Sequence, residues 1–259
     1  MKFMRVTFLI FVCFTLLIGC SSNKELSNKK EVSLTISAAA SLSEALTDIK
    51  EEFIKENPDI NLVLNFGGSG SLMQQIKQGA PVDVFFSAAE LPFQTLLDAE
   101  LIDREHQSAI IGNSLTLVTP KEKPIDSLES LENETVKKIA IGTPDSVPAG
   151  MYAKQSLIST GIWENIESKL VMAKNVRQVL TYVETGNVDA GFVYNTDAAN
   201  SESIHVIEEI QDELHDPIIY PAGVVTTTKH KDESVLFFQY LQSSTARTIF
   251  KKYGFRTLE

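Results

Sequence analysis

From Val32 onward the chain alternates between two kinds of segment. Short, largely apolar stretches at 32–36, 62–66, 82–86, 114–118, 138–141 and 191–194 have the length and composition of strands. Between them, apolar residues recur on one helical face: Leu42, Ala45, Leu46, Ile49 and Phe53 in one segment, Val179, Leu180 and Val183 in another, and Leu236, Phe237, Tyr240 and Leu241 in a third. The alternation predicts an α/β fold with mixed, mostly parallel sheets flanked by helices. No internal repeat or low-complexity tract interrupts it.

Several strand-to-helix turns carry small or hydroxyl-bearing residues. Ser41-Leu42-Ser43-Glu44 fits a capping box, and Gly67-Gly68-Ser69-Gly70-Ser71 follows one strand and opens the helix of Leu72 and Ile76. Val147-Pro148-Ala149-Gly150 opens another helix, and Asn175 is placed to cap the one that starts Val176-Arg177-Gln178. One such turn is explained by capping alone, because every helix start has unpaired N–H groups. Four in one chain point to a shared anion site, where those N–H groups and the positive ends of the helix dipoles converge.

The first residues read differently. Lys2 and Arg5 precede an apolar run over 6–18 that is shorter than the ~20 residues of a membrane span. It ends at Leu17-Ile18-Gly19-Cys20, followed by Ser21, Ser22 and Asn23, which resembles a bacterial lipoprotein signal. The expectation is a signal peptide over 1–19, lipidation at Cys20, a polar tether over 20–30 and an exported protein held on the extracytoplasmic face of the membrane. The competing reading keeps 6–18 as an uncleaved anchor helix.

Composition narrows the function. With 43% apolar and 22% charged residues in 259, the chain is neither disordered nor multi-spanning. Both cysteines, Cys13 and Cys20, lie in the N-terminal segment, so the folded part has no disulfide framework and no cysteine zinc site. A net charge of −11 argues against nucleic acid or an anionic membrane as partner, and an anionic ligand would need local donors. The glycine turn lacks G-x-G-x-x-G, since position 73 is Met, and no Gly-Lys-Ser/Thr occurs. A nucleophile elbow would need glycine where Ser71 stands. His106, His205, His215 and His230 are scattered, and Glu213-Leu214-His215-Asp216 reads as a solvated loop.

Longer stretches carry a resemblance. Ser37-Ala38-Ala39-Ala40-Ser41-Leu42, Phe66-Gly67-Gly68-Ser69-Gly70-Ser71-Leu72 and Gly79-Ala80-Pro81-Val82-Asp83-Val84-Phe85-Phe86-Ser87-Ala88 resemble the molybdate-binding proteins of molybdenum ABC importers. Gly112-Asn113-Ser114-Leu115, Val147 to Ala153, Asn175-Val176-Arg177, Gly191-Phe192-Val193-Tyr194 and Ile249 to Phe255 continue it across 32–255. The resemblance implies a two-lobed, class II periplasmic-binding-protein-like fold that closes on a tetrahedral oxyanion, with lobe 1 over 31–112 and 221–259 and lobe 2 over 113–220. It implies no enzyme activity and no cofactor. The ligand would be molybdate or tungstate, with molybdenum present only as the oxyanion and no direct protein ligand to the metal. The partner would be a membrane permease, and the protein a monomer.

Carried over by position, the ligand contacts fall on Ser41 and Ser69 in the first lobe, and on the backbone N–H groups of Ala149 and Val176 and the phenol of Tyr194 in the second. On the residues alone, Tyr194 is a core aromatic at a strand end. The same fold with another anion, such as sulfate, is the alternative. A carboxylate receptor would be expected to place an arginine in the cleft, and Arg177, next to Val176, is the candidate. A hydrolase using Ser69 or Ser41 lacks a recognisable histidine partner.

Overall fold

Strand and helix periods in the sequence become two sheets with helices packed on them. The computed structural model describes residues 31–122 and 125–258; the signal segment, Cys20 and the tether lie outside the described residues. The first sheet is built from β1 (Val32–Ala39), β2 (Ile60–Gly67), β3 (Val84–Phe86), β4 (Ile102–Gly112), β10 (Ile219–Val225) and β11 (Arg256–Thr257). Its order is β11-β4-β10-β3-β1-β2. The second contains β5 (Leu115–Pro120), β6 (Ile139–Gly142), β7 (Leu170–Ala173), β8 (Ala190–Tyr194) and β9 (Ile204–Glu209), in the order β7-β6-β8-β5-β9. The chain passes from the first sheet to the second between β4 and β5 and returns at β10.

Both sheets are mixed, as expected, but parallel pairing does not dominate. β1 runs parallel to β2 and β3, and β6 parallel to β7 and β8. The other five pairings among the described residues, β10 with β3 and β4, β11 with β4, and β5 with β8 and β9, are antiparallel. Parallel neighbours need a crossover helix. The strands that carry the chain between the sheets arrive from the opposite direction, and so they pair antiparallel.

The helices follow their apolar stripes. In α1 (Ser43–Glu56), Ala45, Leu46, Ile49 and Phe53 are buried, and Phe53 meets Phe237 edge-on at 5.1 Å. Helix α2 spans Ser69–Lys77, α3 Glu90–Asp98, α4 Pro148–Ser159, α5 Trp163–Ile166, α6 Val176–Glu184, α7 Asn195–Ala198, α8 Lys231–Tyr240 and α9 Ser244–Lys252. Val179, Leu180 and Val183 form the buried face of α6. In α8 the buried set is Ser234, Phe237 and Phe238, with Leu241 just beyond, whereas Leu236 is exposed. Of the expected stripe, Phe237 and Leu241 are buried and Tyr240 packs edge-on against Phe53 at 5.1 Å, while Phe238 takes the core place expected of Leu236.

Candidate functional site

Four helical starts and one strand end surround a single cavity. Ser41 lies in the 3-10 turn Ala40–Leu42 that leads into α1, Gly68 and Ser69 open α2, Pro148 and Ala149 open α4, and Asn175 and Val176 open α6. Tyr194 ends β8. All of these residues line the cavity, together with Gly67, Ala88 and Val147 among others, and it encloses at most ≈ 200 Å³ of empty space. Much of that space is narrow or open to solvent, and the part wide enough for a water molecule's centre is only ≈ 10 Å³, so the cavity is tight and excludes a sugar or a peptide. The structure therefore brings together Ser41, Ser69, Ala149, Val176 and Tyr194, the first and last of which are more than half the chain apart in sequence.

Local chemistry leaves donors pointing inward. Proline at the first position of α4 has no N–H to satisfy, and the N–H of Ala149 follows in the first turn, where no carbonyl of the helix can reach it. Asn175 caps α6 as expected, its side-chain oxygen accepting the Gln178 N–H at 2.9 Å, which leaves the Val176 N–H to the cavity side. Ser69 Oγ accepts the Ala88 N–H at 2.9 Å. That hydroxyl donates to no acceptor among the described residues, so its own proton is available to a ligand.

The capping-box expectation at Ser41 and Glu44 is not met. Helical structure begins earlier, at Ala40, so Ser41 sits inside the first turn and its hydroxyl turns to the Tyr220 hydroxyl at 3.0 Å. The Glu44 carboxylate points away from the helix start, to Arg177 and to Asn200 Nδ2 at 2.8 Å. Helix α1 has no side-chain cap.

Tyr194 is the site's clearest signal. Only 1% of it is exposed, and its hydroxyl is buried with no hydrogen-bond partner among the described residues. The Tyr220 ring packs edge-on at 5.7 Å, close enough for its hydroxyl to act electrostatically on that of Tyr194, but no hydrogen bond of ordinary geometry joins them. Burial pushes the Tyr194 phenol well above its usual pKa, so it stays protonated and can only be a neutral donor or acceptor. A buried polar group without a partner costs ~1–3 kcal/mol, and a ligand oxygen in this cavity would satisfy it.

Charge is kept beside the cavity rather than in it. Arg177, one residue after Val176, does not line the cavity; its guanidinium binds Glu44, and its Nε lies 3.4 Å from Asp197. Asp197, in α7, is 1% exposed, and burial raises its pKa to about 7 against the opposing pull of Arg177. On the opposite rim, the two halves touch through backbone: Gly70 N–H donates to Ser146 O at 3.0 Å. A Cβ on Gly70 would lie 2.8 Å from Ser146 Cα, and one on Gly68 2.8 Å from Ser146 O, so only glycine allows this approach.

The histidines stay away from the cavity. His106 and Glu105 lie near Asp103, but the Asp103 carboxylate is already held by His106 and Lys231. His215 corrects the solvated-loop expectation: it is 8% exposed and packs at 5.6 Å from Tyr152, because Gln155 of α4 fastens the neighbouring Asp216 through two hydrogen bonds.

A two-sheet α/β fold with a small cavity of neutral donors between helix starts defines a binding protein for a small solute, with no nucleophile–base pair among the residues that line it. The family model of bacterial extracellular solute-binding proteins matches residues 34–256, and the chain belongs to that family, whose members are transport components and not enzymes. It is 47% identical over 93% of its length, and 94% of the relative's, to YvgL of Bacillus subtilis, provisionally described as an ABC transporter substrate-binding lipoprotein. It is 36% identical to the molybdate-binding protein ModA of Escherichia coli, over 87% of this chain and 89% of that one. The solved periplasmic molybdate-binding protein of Azotobacter vinelandii superposes with a TM-score of 0.78 over 87% of this chain and 100% of that one, at 24% identity. The protein is thus the substrate-binding component of an ABC transporter.

Proposed function

We propose that this protein captures molybdate, or tungstate, and delivers it to the membrane permease of its transporter. The observation that carries the reading is the unpartnered, buried Tyr194 hydroxyl in a cavity whose other inward groups are the hydroxyls of Ser41 and Ser69 and the N–H groups of Ala149 and Val176. Molybdate at neutral pH is a fully deprotonated dianion, so its four oxygens accept and none donates. Monohydrogen phosphate carries a proton that needs an acceptor, and leaving it unpaired in a closed site costs ~1–3 kcal/mol. The names of the relatives support the same ligand.

In this reading the halves 31–112 plus 221–259 and 113–220 act as two lobes. The oxyanion stabilises the closed form by its differential affinity for it, and the permease recognises that form. A monomer lipidated at Cys20 would stay at the membrane, where the permease is; Cys20→Ala would then release it from the membrane fraction. Calorimetric titration of the delipidated protein with molybdate, tungstate, sulfate and phosphate tests the ligand. Binding of the first two with phosphate rejected is the expected result. A preference for sulfate, or no binding of any of the four, overturns it.

A further inference from the structure

Resting on that reading of the cavity, we propose that Asn113 and Tyr220, two residues outside the cavity wall, fix the direction of the Ser41 hydroxyl proton and so make the site reject oxyanions that carry a proton. Both sit where the chain passes between the sheets. Asn113 directly follows β4, Tyr220 is the second residue of β10, and the Asn113 N–H donates to Ile218 O at 3.1 Å, tying the two passages together.

The proton directions follow from one fixed donor. The Ser114 N–H can only donate, and it meets Asn113 Oδ1 at 2.9 Å. The amide nitrogen of Asn113 must therefore face the other way, where it donates to Thr196 Oγ1 at 2.9 Å and to the Tyr220 hydroxyl at 3.1 Å. Tyr220 is fully buried, and having accepted there its hydroxyl has one proton left to place. Ser41 Oγ, at 3.0 Å, is its one remaining partner of ordinary hydrogen-bond geometry among the described residues, and we take it as the acceptor. Ser41 accepts in turn, and its own proton has no other acceptor among the described residues, so it is left for the cavity. Asn113 to Tyr220 to Ser41 is a one-way chain of donors that ends on the ligand. Ser69 is oriented the same way by the Ala88 N–H. Both serine hydroxyls thus greet a ligand with hydrogen, which suits a bare dianion and disfavours an oxyanion whose own proton must compete for the same contacts.

Tyr220→Phe keeps the ring and removes the hydroxyl, which frees Ser41 to rotate and accept. We would titrate the parent, Tyr220→Phe and Ser41→Ala with molybdate and with inorganic phosphate in mildly alkaline buffer, after matching their near-ultraviolet circular dichroism. The expected result is that Tyr220→Phe loses several-fold in molybdate affinity and gains at least about tenfold for phosphate, the scale of one hydrogen bond. Ser41→Ala should lose molybdate affinity with no gain for phosphate, since it offers no acceptor. If a folded Tyr220→Phe keeps both the affinity and the phosphate rejection of the parent, the relay is overturned. If Tyr220→Phe does not fold, Asn113→Asp carries the test. Its carboxylate would take the Tyr220 proton and reverse the chain, so the molybdate-to-phosphate ratio should fall, and an unchanged ratio overturns the relay. A parent that binds no oxyanion at all would instead overturn the function proposed above.

Discussion

Val176 and Arg177 are neighbours at the start of one helix and face opposite kinds of chemistry. Val176 borders the cavity, where every inward group is neutral, and Arg177 leaves it to join Glu44, Asp197 and Asn200 in a charged cluster on the seam. The difference teaches how an acidic protein can hold a dianion. Full charges at a closed site would need partners of their own and would bind any anion, whereas neutral donors of fixed direction select by proton count. The cluster places charge on the partly wet Glu44 and Arg177, with Asp197 buried behind them, away from the groups that select the ligand. It joins residues of α1 to residues of α6 and α7 across the two sheets.

The sharpest way to break this contrast is to move charge into the cavity. Ser69→Asp should abolish oxyanion binding, because an unpaired carboxylate facing a dianion in a closed site is disfavoured by several kcal/mol; calorimetry showing retained binding would place the ligand elsewhere. Ser69→Ala and Tyr194→Phe should each weaken molybdate binding by ~1–3 kcal/mol, about 5- to 150-fold. That loss should hardly change between low and high sodium chloride, since screening acts over ~8 Å of solvent at physiological salt and the cavity contains little. A steep loss of affinity with salt, together with a normally binding Tyr194→Phe, would refute the neutral-donor site.

The charged cluster should answer to pH and salt instead. Asp197 has its pKa raised to about 7 in the folded chain, above its unfolded value of ~3.9. Between those values the folded state holds a proton that the unfolded state has lost, so this group's contribution to stability falls as pH rises from about 4 through 7. Asp197→Asn should therefore raise the melting temperature most in mildly alkaline buffer, and the gain should shrink toward pH ~5; a gain that is the same at every pH would refute the assignment. The smallest effect belongs to Glu44→Gln. Glu44 and Arg177 are 42% and 26% exposed, and an ion pair so placed contributes ~0–1 kcal/mol. Molybdate affinity should change by less than about tenfold, with a difference that fades as salt rises.

What could be read in the sequence follows how local each signal is. Strands β1, β3, β6 and β8 are apolar runs, and the starts of α2, α4 and α6 carry glycine, proline or asparagine for reasons confined to one turn. β4 carries a polar stretch over 103–108, β9 is half polar, and β10 is apolar but broken by Pro221 and Gly223, so none of the three reads as an uninterrupted apolar run. In the site, Ser41 was legible as a residue but not in its role, because its partner Tyr220 lies 179 positions away. Asn113 and Tyr220 have no local signature, and only strand pairing brings them together. Tyr194 looks like any core aromatic until its hydroxyl is found without a partner; its place in the cavity entered through family resemblance.

The backbone contact between Gly70 and Ser146 sets a time as well as a shape. An ion enclosed behind it can leave only when that seam parts, so how long it stays depends on an event to which the ion's own contacts are just one contribution. A single methyl group there, as in Gly70→Ala, would act as a wedge. Arrival and escape would both quicken although no atom that touches the ion had changed, and a receptor that lets go too readily would meet its permease empty.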